Sequence, residues 1–439
     1  MGILDGQARC AWRSARARLA SLYSATMSVP ADRRESGLIP LVVFDDGKGQ
    51  FGPLTDLRAA FQLRAGLSTI LERIESAIGR EAAALMVDPG VETLVAESTG
   101  RAVNAVPSAD ACLVVNGRLL DLSVMARISA LKIGESLVDA DGTLVAAVAP
   151  RAMVANLSRA TWNSTATIEV SLANAPWDLT SRIGATLDED LRMHSGHTVA
   201  RSLRPDEGQS FGKHTIRIDP SARLGPFCVI DASNGPVIIG TDVVVRPLSV
   251  LVGPCAVLNG SIVSERALIK ASTVIGPHCR VGGEVGGVIF QSYSNKSHDG
   301  HLGDSFVGEW VNIGAGTDNS NLLNTYGEVI VRLEADCGLV RTGRKFWGSI
   351  LGDHAKLAIG TRLMTGTTVG TGAMIAQSRP PASLVPRFAW LVDGAEGPRS
   401  FRFDKFMETA RAMMARRHTA PTTALEARLR ALHAKATES

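Results

Sequence analysis

The chain of 439 residues is poor in aromatics (5%, with only three tyrosines) and has no pair of cysteines at C-x-x-C spacing. The cysteine pattern suggests neither a zinc site nor a disulfide framework. Cys10, Cys112, Cys228, Cys255, Cys279 and Cys337 therefore read as reduced thiols, which places the chain in the cytoplasm. No run of 18 apolar residues occurs, so no helical membrane span is expected. The N-terminus is basic but lacks an apolar signal core, so no secretory signal is expected. Net charge is only +3, too little to imply a polyanionic partner. The charge is uneven: residues 1–37 hold six arginines against three acidic groups, and residues 398–439 nine basic against four acidic. These ends read as solvated surfaces, with no nucleic acid as partner. Residues 1–37 read as a flexible extension, with Met27 as an alternative start. What is abundant is glycine, 43 residues, within a 45% hydrophobic and 20% charged composition. That is globular, long enough for two or three domains, and suited to short strands and tight turns.

An internal repeat sets the fold. From Ile239 an aliphatic residue recurs every sixth position: Val245, Leu251, Val257, Val263, Ile269, Ile275, Val281. Four residues after the first seven stands a small or β-branched residue: Val243, Ser249, Cys255, Ser261, Ala267, Thr273, Cys279. The pattern returns at Val307 and Ile313 and again from Leu351 to Ile375. A period of six is neither helical nor a plain strand alternation. It is a short strand plus a turn, three of which close one triangular coil. The sequence thus predicts a left-handed parallel β-helix over residues 216–380, with aliphatics inside and small residues at the corners. Cys255 and Cys279 are then corner residues, not catalysts. Two interruptions are expected, Val281 to Val307 and Thr317 to Leu351, and such excursions tend to carry function.

Residues 38–170 alternate differently. Leu41–Phe44, Ala83–Val87 and Cys112–Val115 read as strands, Leu57–Ile78 and Leu119–Leu131 as helices, and the sum is an α/β domain. Residues 171–215 read as a helical linker. Pro380, Pro381 and Pro386 end the repeat, and residues 381–439 read as a helical tail.

The stretch from Tyr293 to Gly327 contains His298, the pair Gly303-Asp304, and Asn312-Ile313-Gly314-Ala315-Gly316-Thr317. This resembles the acetyltransferase half of the bifunctional N-acetylglucosamine-1-phosphate uridyltransferase / glucosamine-1-phosphate N-acetyltransferase family. More closely it is similar to a divergent bacterial branch of sugar nucleotidyltransferase-like proteins. The resemblance implies His298 as the catalytic base, five residues before the Gly-Asp pair. It places Asn321 on the amino sugar, and sets Arg344-Lys345-Phe346, ahead of Gly352-Asp353, as a sugar-phosphate contact. It also implies a homotrimer with sites between subunits and acetyl-coenzyme A as co-substrate in a groove. The family's other half carries a G-x-G-T-R phosphate loop, which is missing here. Gly47-Lys48-Gly49-Gln50-Phe51-Gly52 follows a strand but has no GK[ST]. Where the family has a metal-binding Asp, this chain reads Asn116-Gly117-Arg118, and an arginine there repels Mg²⁺ and is free to meet a phosphate. Mg²⁺ is expected only if this domain is active.

Acyl transfer to an amine needs a base, an oxyanion donor and a phosphate clamp. His298 is the expected base, with Asp299 or Glu309 orienting it. Gly314, Ala315 and Gly316 offer backbone to the acyl-coenzyme A. Tyr293, Asn295, Lys296, Asn312, Asn321 and Lys345 are expected to bind substrate, and Arg58, Arg64 and Arg118 nucleotide. His301 sits where an aliphatic is due and reads as structural, and His354 reads as facing out of its coil. No metal site is expected: His298, Asp299 and His301 have the right types, but no second ligand cluster accompanies them. The first reading is an N-acetyltransferase acting on a sugar phosphate or nucleotide sugar, in UDP-N-acetylglucosamine or cell-envelope sugar synthesis. The alternatives are a sugar-1-phosphate nucleotidyltransferase and a non-catalytic nucleotide-sugar-binding trimeric scaffold.

Overall fold

The structure is a computed structural model and describes residues 39–193 and 200–438. The expected N-terminal extension and its alternative start lie outside the described residues. A seven-stranded mixed sheet opens the chain. Leu41–Phe44 lies between Ala84–Met86 and Ala111–Asn116, parallel to both. Leu144–Pro150 then runs antiparallel to Ala111–Asn116. The sequence places these strands within a residue or two, because each is an apolar run buried on both faces. The helix expected over Leu57–Ile78 forms only at Ile70–Ile78, capped by Thr69 and ended by Gly79 at φ +78°. Of the expected residues before it, Ala60–Gln62 forms a short 3₁₀ turn, and Arg58 and Arg64 on either side of that turn reach into the second domain.

The second domain is the expected parallel β-helix. Its three long sheets are parallel throughout the coils, with the repeat's aliphatics turned inward. Ile239, Val257 and Ile275 stack in one sheet, Leu251 and Ile269 in another, Val245, Val263 and Val281 in the third. The predicted corner residues, Cys255 and Cys279 among them, are fully buried. Burial pushes both of these thiols up to about 12, which makes them inert.

Three expectations change. The stretch between Val281 and Val307 is no excursion. Val285, Phe290, Lys296 and Leu302 continue the inward columns, in coils shortened by a residue or two at the turns. Leu302, not His301, fills the aliphatic position. The second interruption is real: residues 320–348 leave the prism as an antiparallel hairpin, Ile330–Val331 against Val340–Arg341. The expected linker is structural at both ends. The helices Pro176–Thr180 and Ile183–Met193 bury Trp177, Leu179, Ile183 and Leu187 in the first domain's core, and Gly208–Gly212 already pairs with Cys228–Ala232 as a β-helix strand.

The two domains share one core. The outward side of one prism face presents Ile238, Ala256, Val274, Ile289, Phe306 and Ile350, and all are buried against the first domain. At one corner of the prism His278, Tyr293, Trp310, His354 and Phe388 all adopt φ between +53° and +60°. Their rings form a column: His278 on Tyr293 at 4.9 Å, Tyr293 on Trp310 at 4.4 Å, Trp310 over His354 at 6.3 Å. The first of two C-terminal helices, Phe403–Ala415 ahead of Thr423–Glu438, closes it, with Phe406 edge-on to His354 and Phe388.

Candidate functional site

The turn carrying His298 joins the strand Asn295–Lys296 to His301–Gly303. The imidazole of His298 and the side chain of Asp299 are exposed. The next coil stacks beneath: the Gly316 N–H donates to the Asp299 carbonyl at 3.0 Å. Glycine is required here because a Cβ on Gly300 would lie 2.2 Å from the Thr317 carbonyl oxygen. So the structure brings His298 and Asp299 beside Gly314–Gly316, as expected. Two of the N–H groups of that glycine turn, those of Gly314 and Gly316, are already committed, however. The Gly314 N–H donates to Leu357 O, Gly316 to Asp299 O, and the Ala315 carbonyl accepts from Gly360.

Asn295 and Asn312 stand side by side in register on one outer face. Asn295 accepts from Arg417, beyond the first C-terminal helix, at 2.7 Å. Asn321 donates to Asp304 at 2.6 Å, and both Asn321 and His301 flank Gly303. Burial pushes the Asp304 carboxyl up. His301 is the better supported histidine: its Nδ1 lies 3.4 Å from Glu284, which also pairs with Lys270 at 2.6 Å. Its backbone N–H donates to Asp318 at 2.6 Å. Lys345 is exposed on the return arm of the hairpin excursion.

Several expected site residues are engaged elsewhere. Lys296 does not reach a ligand. It points into the prism, 1% exposed, and its ammonium donates to the carbonyls of Gly282, His298 and Gly300 at 3.1, 3.0 and 2.7 Å. Burial lowers it to about 8, against the pull of Asp318 and Asp299. Tyr293 is sandwiched in the aromatic column, with both ring faces covered. Glu309 does not orient His298: its carboxylate takes Ser292 Oγ at 2.5 Å and Arg58 at 3.0 Å. His354 does not face out; it is 1% exposed, and burial holds it neutral, well below the usual histidine range.

The three nucleotide arginines are internal braces. Arg58 spans the domains to Asp353, with contacts of 2.8 and 3.0 Å, and to Glu309. Burial works against its charge, but these carboxylates hold the proton on. Burial likewise pushes the Asp353 carboxyl up, and Arg58 only partly offsets this. Arg64 donates to Gln291 O and Leu67 O. Arg118 grips Asp46 through two bonds of 2.8 and 2.7 Å, with Asn116 donating to the same carboxylate at 2.9 Å. Arg118 therefore meets a carboxylate, not a phosphate. A guanidinium in that position does not fit a divalent cation such as Mg²⁺.

Sequence reasoning missed Asn319. It too stands inside the prism, where it accepts from the Gly303 N–H and donates to Gly303 O and Ser305 Oγ at 2.8, 3.0 and 3.0 Å. The signal was available: at 296 and 319 polar residues replace the aliphatics of the repeat.

A parallel β-helix of hexapeptide repeats fused to a nucleotidyltransferase-type α/β domain is the class that this fold defines. Residues 41–198 match the family model described as sugar nucleotidyl transferase. Particular proteins to which the chain is similar are the bifunctional GlmU proteins. That of Methanococcus aeolicus is 32% identical over 162 residues, 36% of this chain and 38% of the relative. That of Acidovorax ebreus is 31% identical over 182 residues, 38% of this chain and 33% of the relative. The chain thus spans about a third of the length of the curated relatives it matches. Among solved structures, the Arabidopsis UDP-N-acetylglucosamine acyltransferase matches 52% of this chain and 88% of its own at 14% identity and a TM-score of 0.19. A GDP-perosamine N-acetyl transferase mutant from Caulobacter crescentus, in complex with CoA and GDP-perosamine, gives 15% identity and a TM-score of 0.16, over 82% of this chain and 97% of that one. Among the described residues no helix is long and apolar enough to cross a membrane.

Proposed function

We propose that the protein is an acetyl-coenzyme A-dependent N-acetyltransferase acting on an amino-sugar phosphate or a nucleotide-linked amino sugar. The observation that carries the reading is the His298 turn, exposed and stacked on the Gly314–Gly316 turn within consecutive coils. In the step proposed, the sugar amine attacks the thioester carbonyl while His298 takes the amine proton. The tetrahedral intermediate then collapses, the C–S bond breaks, and the thiolate leaves and is protonated. In this reading Asn312, and the side-chain groups of Asn295 and Asn321 not held by Arg417 and Asp304, read hydroxyls. A homotrimer would complete the site, a reading supported by the exposed Phe227 and Leu248 on the prism edge that leads to the His298 turn. In this reading the first domain no longer transfers nucleotides, since Arg118 occupies its cation position.

The test is release of free thiol from acetyl-coenzyme A with glucosamine 1-phosphate and related amino sugars. Thiol release lost in His298→Ala and kept in His301→Phe supports the reading; the reverse makes His301, paired with Glu284, the base. The match to the nucleotidyl transferase family favours a second reading, sugar-1-phosphate nucleotidyl transfer. Pyrophosphate released from UTP and a sugar 1-phosphate, with no thiol release, would favour it instead.

A further inference from the structure

Lys296 stands in a column otherwise filled by aliphatics: Val263 and Val281 before it, Ile313 and Leu357 after it. A cation in that lumen is expensive. It is desolvated, and no carboxylate lies within hydrogen-bonding distance of it among the described residues; Asp299 and Asp318 act on it only through space. An aliphatic would satisfy the repeat better, so stability does not account for the lysine. What the ammonium does is bind three main-chain carbonyls, and two of them, His298 O and Gly300 O, belong to the turn that presents the proposed base. The third, Gly282 O, belongs to the coil before. Among the described residues, that turn is otherwise tied only by the Gly316 N–H on Asp299 and the Glu284 N–H on Gly300.

We propose that Lys296 is a positioning residue for His298. From inside the prism it fixes the backbone of the His298 turn against the preceding coil, and so sets where the imidazole stands. This rests on the reading of His298 as the base. Asn319 performs the matching task on the far side of the same coil, holding both main-chain groups of Gly303 from the lumen.

The experiment compares wild type, Lys296→Met and Lys296→Gln by thermal midpoint, steady-state kinetics of thiol release, and amide hydrogen exchange. Methionine restores an apolar lumen, so the midpoint should hold or rise while kcat falls about 10- to 100-fold at little change in KM. Glutamine, which can still donate to two carbonyls, should recover part of kcat. Exchange should quicken at residues 297–301 and not in distant coils. A fallen midpoint with unchanged kcat, or faster exchange spread over all coils, would overturn the proposal. If wild type releases no thiol with any amino sugar, the acyl-transfer reading fails on its own. The exchange comparison then still decides whether Lys296 holds the turn.

Discussion

Replacing Arg58 tests the ionic brace between the domains. Its side chain is 7% exposed and Asp353 is 1% exposed, and in Arg58→Met the Asp353 carboxylate keeps only the Glu309 N–H at 2.7 Å. Breaking a buried pair by removing one partner costs about 3–5 kcal/mol. Asp353 has an escape, because burial already raises its carboxyl, and without Arg58 it rises further. A folded-state value above the unfolded value, about 3.9, means that the folded state binds the proton more tightly. Stability of the variant therefore grows as pH falls through the raised value and is poorest above it. We expect Arg58→Met to lose about 3 kcal/mol or more at pH 8, less at pH 6, and to regain most of it in Arg58→Met/Asp353→Leu. Urea unfolding followed by tryptophan fluorescence at both pH values measures this. A loss below about 1 kcal/mol at pH 8, or an equal loss at both, would refute an ionic brace.

Other outcomes follow from the same contacts. Since burial lowers the folded-state value of Lys296 to about 8, the unfolded chain binds more protons between there and about 10.4. Wild type should then gain stability relative to Lys296→Met as pH rises through that window; paired melts at pH 7.5 and 9.5 check it. Phe406→Ala removes the lid of the aromatic column and should cost about 3–5 kcal/mol, seen as early proteolysis of the first C-terminal helix before the prism is cut. A thiol reagent on native protein should label Cys337 quickly and leave Cys112, Cys228, Cys255 and Cys279 until unfolding; peptide mapping shows which. Millimolar Mg²⁺ should leave the melting temperature of wild type unchanged, because Arg118 holds Asp46; a clear rise would reinstate a cation site in the first domain.

The prism was legible because its signal is local and repeated: each aliphatic faces inward for the same reason as the one six residues before. Legibility failed where coils shorten, as from Val281 to Val285, since losing two residues hides the period without breaking the stack. Lys296 was misread because a lysine in a polar stretch looks solvent-facing, and only the register with Val281 shows it inside. Arg58 and Asp353 lie 295 residues apart, so no spacing rule could pair them. The same contacts explain the missing first half of the Leu57–Ile78 helix. Asp56, Arg58 and Arg64 are held by Arg387, Asp353 and Gln291 in the other domain, and those directions are incompatible with one helical face. The motif singled out His298 and left His301 as a structural residue, with no view of what supports either. Sequence could not see that Glu284, one coil away, stands at His301 rather than His298.

The buried row from Ile238 to Ile350 bears on how such a chain can evolve. A domain without chemistry of its own would ordinarily be free to erode or be deleted, and so would this one if it transferred no nucleotide. Here its deletion would strip an entire side of the prism and leave six stacked hydrophobes in water, a surface apt to self-associate. The domain is therefore retained as cladding whatever its catalytic history. Its core residues answer to the neighbour's solubility, and the two halves can no longer be exchanged as independent modules.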